Sequence, residues 1–225
     1  MNINATRAIE CLRKIGLPVV TTRDATVLLG ISKSAASHLL RRLEQADLVY
    51  RLRRGRWVIV GEDPLNPVAY LTAPYPSYVS SWTALSLHDM IDQIPRDVEV
   101  VTTARSTSIV APTATYRLHH VTDSLFGGFD IGHGPPIASP EKALFDAVYL
   151  PAARGMTTVF LPEIELPEGF DPTEVDRWVA LIESPKVRAV TSRSLQRVLG
   201  LAGGSPYTSV GGPSGRTTSS TDGSG

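Results

Sequence analysis

Sulfur chemistry is nearly absent from this sequence, where Cys11 is the one cysteine in 225 residues. A single thiol excludes an intramolecular disulfide and a cysteine-rich zinc cluster. Long hydrophobic runs are missing too: stretches such as "WVIV" at 57–60 are far too short to cross a bilayer as a helix. The opening residues "MNINATRAIECLRKIG" interleave charge with apolar residues and lack an apolar signal core, so no secretory signal is expected. Net charge is also missing, with 22 Lys/Arg against 22 Asp/Glu. The expectation is a cytoplasmic globular chain of one or two domains with no membrane partner.

The neutrality dissolves when the chain is divided. Residues 1–60 carry eleven Lys/Arg against four Asp/Glu, a net +7, and the remainder carries −7. Four of those cations, Arg51, Arg53, Arg54 and Arg56, fall within six residues around one glycine. Such asymmetry marks the basic part as the candidate for an anionic partner.

Local signals divide the chain further. Asn4 caps a helix with apolar positions Ala5, Ala8, Ile9 and Leu12, ended by Gly16. "TTRDATVLLG" offers a capping box, Thr21 with Asp24, and Gly30 as its stop. Ser32 then caps a helix whose Ala36, Leu39, Leu40 and Leu43 share one face. "LVYRL", "RRGR" and "WVIV" follow as strand, turn and strand. Residues 63–77 hold four prolines and read as a linker, with a short helix at 65–72. Beyond it, "YVSSWTALSLHDMID" reads as a helix, and "DVEVVTTA" and "TYRLHHV" as strands. "SPEKALFDAVYL" is a helix capped by Ser139 with Pro140 at its first position. "DPTEVDRWVALIES" opens another helix in the same way, and "VRAVTSRSLQRVLG" closes the fold. Residues 202–225 are rich in Gly, Ser and Thr and are expected to be a disordered tail. The predicted class is α+β: a winged helix-turn-helix over 1–62, a linker over 63–77 and a mixed α+β domain over 78–201.

Three helices followed by a hairpin is the order of a winged helix-turn-helix, whose last helix enters the major groove of DNA. With the apolar face turned inward, the third helix presents Ser34, Ser37, His38, Arg41 and Gln45 outward, next to Arg42. Hydroxyls, an imidazole and guanidinium forks suit base edges and phosphates. Lys33 lies in the first turn, where free N–H groups also favour a phosphate. Arg53, Arg54 and Arg56 on the hairpin suit the DNA backbone or a narrow minor groove. Trp57 is expected to pack the hairpin onto the helices, and Cys11 to lie in the core.

Two segments carry a family resemblance. "YVSSWTALSLH" at 78–88 resembles the Y-x-S-x-W-x-A-L-x-x-H signature of AbiEi-like antitoxins of AbiE-type toxin–antitoxin systems. "IASPEKALFD" at 137–146 is similar to that family's V-A-S-P-E-R-A-L-L-D segment, with Lys142 where Arg is common. In the family a winged helix precedes this region, and "LVYRLRRGRWVIV" resembles its wing. The resemblance spans roughly residues 5–200. It implies a repressor that binds operator DNA, inverted repeats upstream of its own operon. It also implies a second domain that counters a nucleotidyltransferase-like toxin, by transient contact or by covalent modification such as phosphorylation. Trp82, His88, Glu141, Lys142 and Asp146 are the toxin-neutralising candidates on these motifs. A ligand-responsive transcription factor is the rival class.

The residues themselves give those candidates plainer roles. Lys142 and Asp146, at i and i+4, read as a surface ion pair worth about 0.3–0.5 kcal/mol. Trp82, Leu85 and His88 share a helical face and read as core with a hydrogen-bonded histidine. His119, His120, Asp130 and His133 suggest a metal, but adjacent strand residues point to opposite faces, so no metal or cofactor is expected. "FGGFDIGHGPP" reads as a loop or hairpin, since it lacks the P-loop and kinase glycine-loop patterns. Ser139 caps its helix and has no visible base beside it, so a catalytic residue stays unassigned.

Overall fold

The computed structural model describes residues 4–61, 63–132, 134–159 and 161–202. The tail expected from 202 lies outside these residues apart from Ala202 itself, and so does His133. Among the described residues the fold is mixed α+β, with seven α-helices and two sheets.

The basic part forms from the caps upward. Helix α1 (Ala5–Arg13) starts where the Asn4 side chain accepts from the Thr6 N–H. Helix α2 (Thr22–Leu29) has the reciprocal capping box between Thr21 and Asp24, and Gly30 ends it in the left-handed region. Helix α3 (Lys33–Gln45) begins at Ser32, whose hydroxyl accepts from the Ala35 N–H. Ala36, Leu39, Leu40 and Leu43 are all buried, in one cluster with Ala8, Ile9, Leu12, Val20 and Trp57. The hairpin strands are β2 (Val49–Arg53) and β3 (Arg56–Ile59). An unanticipated strand, β1 (Val19–Thr21), pairs antiparallel with β3 and completes a sheet of order β1-β3-β2. Three residues are too few to show a period, so only tertiary pairing defines it.

The remainder builds a six-stranded sheet of order β6-β7-β5-β4-β9-β8. Its strands are β4 (Ser77–Val79), β5 (Val98–Thr102), β6 (Thr107–Val110), β7 (Thr115–His120), β8 (Phe129–Asp130) and β9 (Ile137–Ala138). The β5/β7 and β4/β9 pairs are parallel and the others antiparallel. "FGGFDIGHGPP" thus contributes one strand of the β8–β9 hairpin. The helix expected over 78–92 is shorter than its pattern. Tyr78 and Val79 belong to β4, and helix α4 covers only Ser81–Leu87. Asp89, at φ 54°, takes the chain out of the helix behind His88. Helices α5 (Pro140–Ala153), α6 (Pro172–Ala180) and α7 (Pro185–Ala202) follow.

Alternation along the strands gives the sheet two covered faces. Tyr78 and Val101 pack with α4, α5, α6 and α7 in one cluster. Their neighbours Val79 and Val100 pack on the other side with Val98, Tyr116 and Leu118. That second cluster also contains Tyr50 and Val58 of the hairpin. Residues 63–77 lie within this junction: a 3-10 turn at Val68–Tyr70 buries Val68, Leu71 joins the same cluster, and the Ser77 hydroxyl donates to the Val68 carbonyl at 2.7 Å. One apolar cluster is therefore continuous from the arginine hairpin to the large sheet.

Candidate functional site

Two arrangements deserve a chemical reading: the basic surface of α3 and the hairpin, and a buried charged node where the two motif segments meet. On α3 the side chains of Lys33, Ser34, His38, Arg41, Arg42 and Gln45 are exposed. Ser37 is half-buried and turned back, its hydroxyl donating to the Lys33 carbonyl at 2.9 Å, so its donor is occupied. On the hairpin Arg53 and Arg54 are exposed and Arg56 is half-buried. Gly55, at φ 75°, makes the turn between them. Two contacts dock this turn on α2: the Thr22 N–H donates to the Gly55 carbonyl at 3.0 Å, and the Trp57 indole donates to the Thr22 hydroxyl at 3.2 Å. Trp57 is only 4% exposed and is indeed the packing residue of the hairpin. Arg51 lies across its ring, 5.8 Å from the centroid. Cys11 is half-buried and belongs to no apolar cluster of the described residues, so it is not the core residue expected.

Charge on this surface is uncompensated. The four ion pairs among the described residues engage Arg117, His119, Lys142 and Arg177, and no cation of residues 4–60 takes part. The helix–hairpin face therefore offers guanidinium and ammonium groups still free to pair with an anion.

The second arrangement overturns the expectation of a surface ion pair. Lys142 and Asp146 on α5 are both fully buried, with Nζ 2.6 Å from Oδ1. The other carboxylate oxygen, Oδ2, accepts from the Ser80 hydroxyl at 2.6 Å and the Tyr78 hydroxyl at 3.1 Å. Three aromatic rings face the ammonium, with centroids 4.5 Å (Trp178), 4.7 Å (Phe145) and 5.9 Å (Tyr78) away. Burial pushes the Lys142 amine down from its ordinary value, against the pull of Asp146. Burial and the nearby Asp146 carboxylate push the Tyr78 phenol up. The carboxylate and the ring faces offset part of the cost of burying the ammonium form.

Local sequence explains this node. Tyr78 and Ser80 are two apart on extended backbone and so reach the same side. Ser80 stands at the N-cap of α4 yet makes no capping bond, because its hydroxyl is committed to Asp146. Gly128 closes the cage: at φ 69° it lies so near that an added Cβ would stand 2.8 Å from the Trp178 ring and 2.9 Å from Lys142 Cγ. Sequence reasoning did not single out Tyr78, Ser80, Gly128 or Trp178 as partners. A signal existed in α5 itself. Ala143, Leu144, Phe145, Ala147, Val148, Leu150 and Ala152 surround that helix with apolar positions, which marks a helix buried all round.

The remaining candidates separate. Glu141 is half-buried and accepts from the Asp171 N–H at 3.1 Å, fixing the start of α6. His88 is half-buried and its Nε2 meets the Ala138 carbonyl at 2.7 Å, tying α4 to β9 as a hydrogen-bonded histidine. Trp82 is half-buried in a small cleft with Arg96, Asp97, Glu99 and Arg117. Lys142 and Asp146, fully enclosed, present no surface to a protein partner. Ser139 caps α5 by accepting from the Lys142 N–H at 3.2 Å.

His119 and His120 do point to opposite sides. His119 is buried between Glu99 and Arg154, and His120 Nδ1 faces the Thr103 and Ala104 carbonyls. Among the described residues no three His, Cys, Asp or Glu side chains are grouped to hold a metal ion, and no helix is long and apolar enough to cross a membrane.

No protein-family model matches this chain, and no curated protein matches it. The likeness to AbiEi-like antitoxins therefore rests on the two quoted segments and the order of elements before them.

Proposed function

We propose that residues 4–61 act as a winged helix-turn-helix that binds DNA, with α3 as the recognition helix and the β2–β3 hairpin as the wing. The observation that carries this reading is the uncompensated basic face formed by Lys33, Arg41, Arg42, Arg53 and Arg54. The β1-β3-β2 sheet behind α3 is the support such a wing needs. Arg53, Arg54 and Arg56 supply affinity for the backbone, while Ser34, His38 and Arg41 face base edges.

On this reading the protein is the antitoxin and autorepressor of a toxin–antitoxin pair. It represses its own operon through inverted repeats, and its α+β part counters a nucleotidyltransferase-like toxin. The convergence of both motif segments on Asp146 supports it: Tyr78 and Ser80 come from one, and Lys142 and Asp146 from the other. The motif thereby acquires a physical role, which is to hold β4, α4 and α5 in one frame. Any surface that meets the toxin is carried by that frame and not by Lys142 or Asp146.

Two assays on the full chain test this. A reporter driven by the DNA upstream of its own gene should be silenced by the protein and released by the Arg53, Arg54 and Arg56 to Ala variant. Co-expression with the product of the adjacent gene, expected to be a nucleotidyltransferase-like toxin, should restore growth. Unchanged reporter output sinks the repressor half, and continued growth arrest sinks the antitoxin half.

A further inference from the structure

The β2–β3 hairpin has two buried faces, and each belongs to a different core. In its register Val49 lies opposite Ile59, Tyr50 opposite Val58 and Arg51 opposite Trp57. Successive pairs point to opposite sides. Val49, Ile59 and Trp57 pack in the cluster that holds the apolar row of α3. Tyr50 and Val58 pack instead with the large sheet, where Val98 lies opposite Tyr116 and Val100 opposite Leu118 across β5 and β7. Among the described residues no residue of α3 belongs to that second cluster.

Tyr116 ties the hairpin to the sheet in two ways. It is fully buried in the cluster with Tyr50 and Val58, and burial together with the adjacent Tyr116 pushes the Tyr50 phenol up. Its own hydroxyl donates to the Pro64 carbonyl at 2.7 Å, which anchors the chain shortly after β3 ends at Ile59. Arg56 follows from Val58 by two residues along β3, about 7 Å at the rise of a strand. Charge-assisted contacts to phosphate tolerate only small changes in length, so a slight tilt at the base of the hairpin breaks those at its tip.

Resting on the DNA-binding reading above, we propose that Tyr116 is a positioning residue for DNA binding, holding the wing in its working place relative to α3. The large sheet thereby takes part in DNA binding. Loss of the Tyr116 contacts leaves α3 packed on its own core and lets the arginine turn drift. Affinity for the DNA backbone then falls, while base discrimination by α3 stays.

Titration of the full chain against the DNA upstream of its own gene, at several salt concentrations, tests this as a double-mutant cycle. Its members are the wild type, Tyr116→Leu, the Arg53, Arg54 and Arg56 to Ala variant, and the combination. Tyr116→Leu should weaken binding about tenfold while the wing arginines are present and have no effect once they are gone. The slope of log K against log salt should also become shallower, a change that loss of folded protein alone does not produce. Tyr116→Phe keeps the ring and loses only the bond to Pro64, so it should fall between the wild type and Tyr116→Leu. It carries the same cycle if circular dichroism shows Tyr116→Leu to be unfolded. Wild-type affinity in every folded Tyr116 variant overturns the proposal, and so does an equal loss with and without the wing arginines. A wild-type chain that binds no DNA at low salt is a different failure: it overturns the repressor reading, and this proposal with it.

Discussion

Lys142 Nζ lies 2.6 Å from Asp146 Oδ1, one helical turn further along α5, and water reaches neither side chain. Removing one partner leaves the other as an uncompensated buried charge. Lys142→Met and Asp146→Asn should each lower unfolding stability by about 3–5 kcal/mol. The double substitution should cost less than the two singles combined, because it leaves no buried charge behind. Urea unfolding of the four proteins reads the cycle. Additive losses would mean that the two charges are not coupled.

The cage around that lysine makes a second prediction. Gly128→Ala introduces a methyl 2.8 Å from the Trp178 ring on a backbone already at φ 69°. The clash and the left-handed strain together should cost about 1–3 kcal/mol, seen as a lower midpoint in denaturant at unchanged slope.

Alkaline pH should act through the tyrosines. Burial raises the phenol pKa of Tyr50, Tyr78, Tyr116 and Tyr149. A raised folded-state value means that stability from these groups is complete below the unfolded value of about 10 and lost above it. Lys142 works in the opposite sense, since its lowered value adds stability as pH climbs toward about 10.4. Four groups oppose one, so stability should fall above about pH 10. Phenolate absorbance of the buried tyrosines should appear together with unfolding, followed by circular dichroism. Their ionisation in a protein still folded would contradict the burial argument.

The two halves of the basic face should separate in DNA-binding experiments. Replacing Arg53, Arg54 and Arg56 by Ala should weaken binding to every sequence and flatten the salt dependence by about one unit per lost phosphate contact. Arg41→Ala should also weaken discrimination between the operator and unrelated DNA, by about 1–3 kcal/mol if it contacts a base edge. Competition binding at fixed salt distinguishes the two outcomes.

Features written locally were legible in the sequence. Thr21 with Asp24, Gly30, Ser32, Ser139 with Pro140 and Asp171 with Pro172 all bound helices where their capping chemistry requires. The apolar row Ala36, Leu39, Leu40 and Leu43 is buried as its spacing demands. Strands β1, β4, β6, β8 and β9 were not legible, since two to four residues carry too little period and depend on distant partners. Nor was the depth of Lys142 and Asp146: an i, i+4 pair looks the same on a wet helix as in a core. Only the apolar positions around the whole of α5 distinguish the two cases.

The proposed DNA interface is the uncompensated basic face of α3 and the hairpin. The most direct test is the salt dependence of binding to the DNA upstream of its own gene. If the face neutralises about five phosphates, log K should fall with log salt at a slope of about −4 to −5. A slope near zero, or no binding at low salt, would contradict the account.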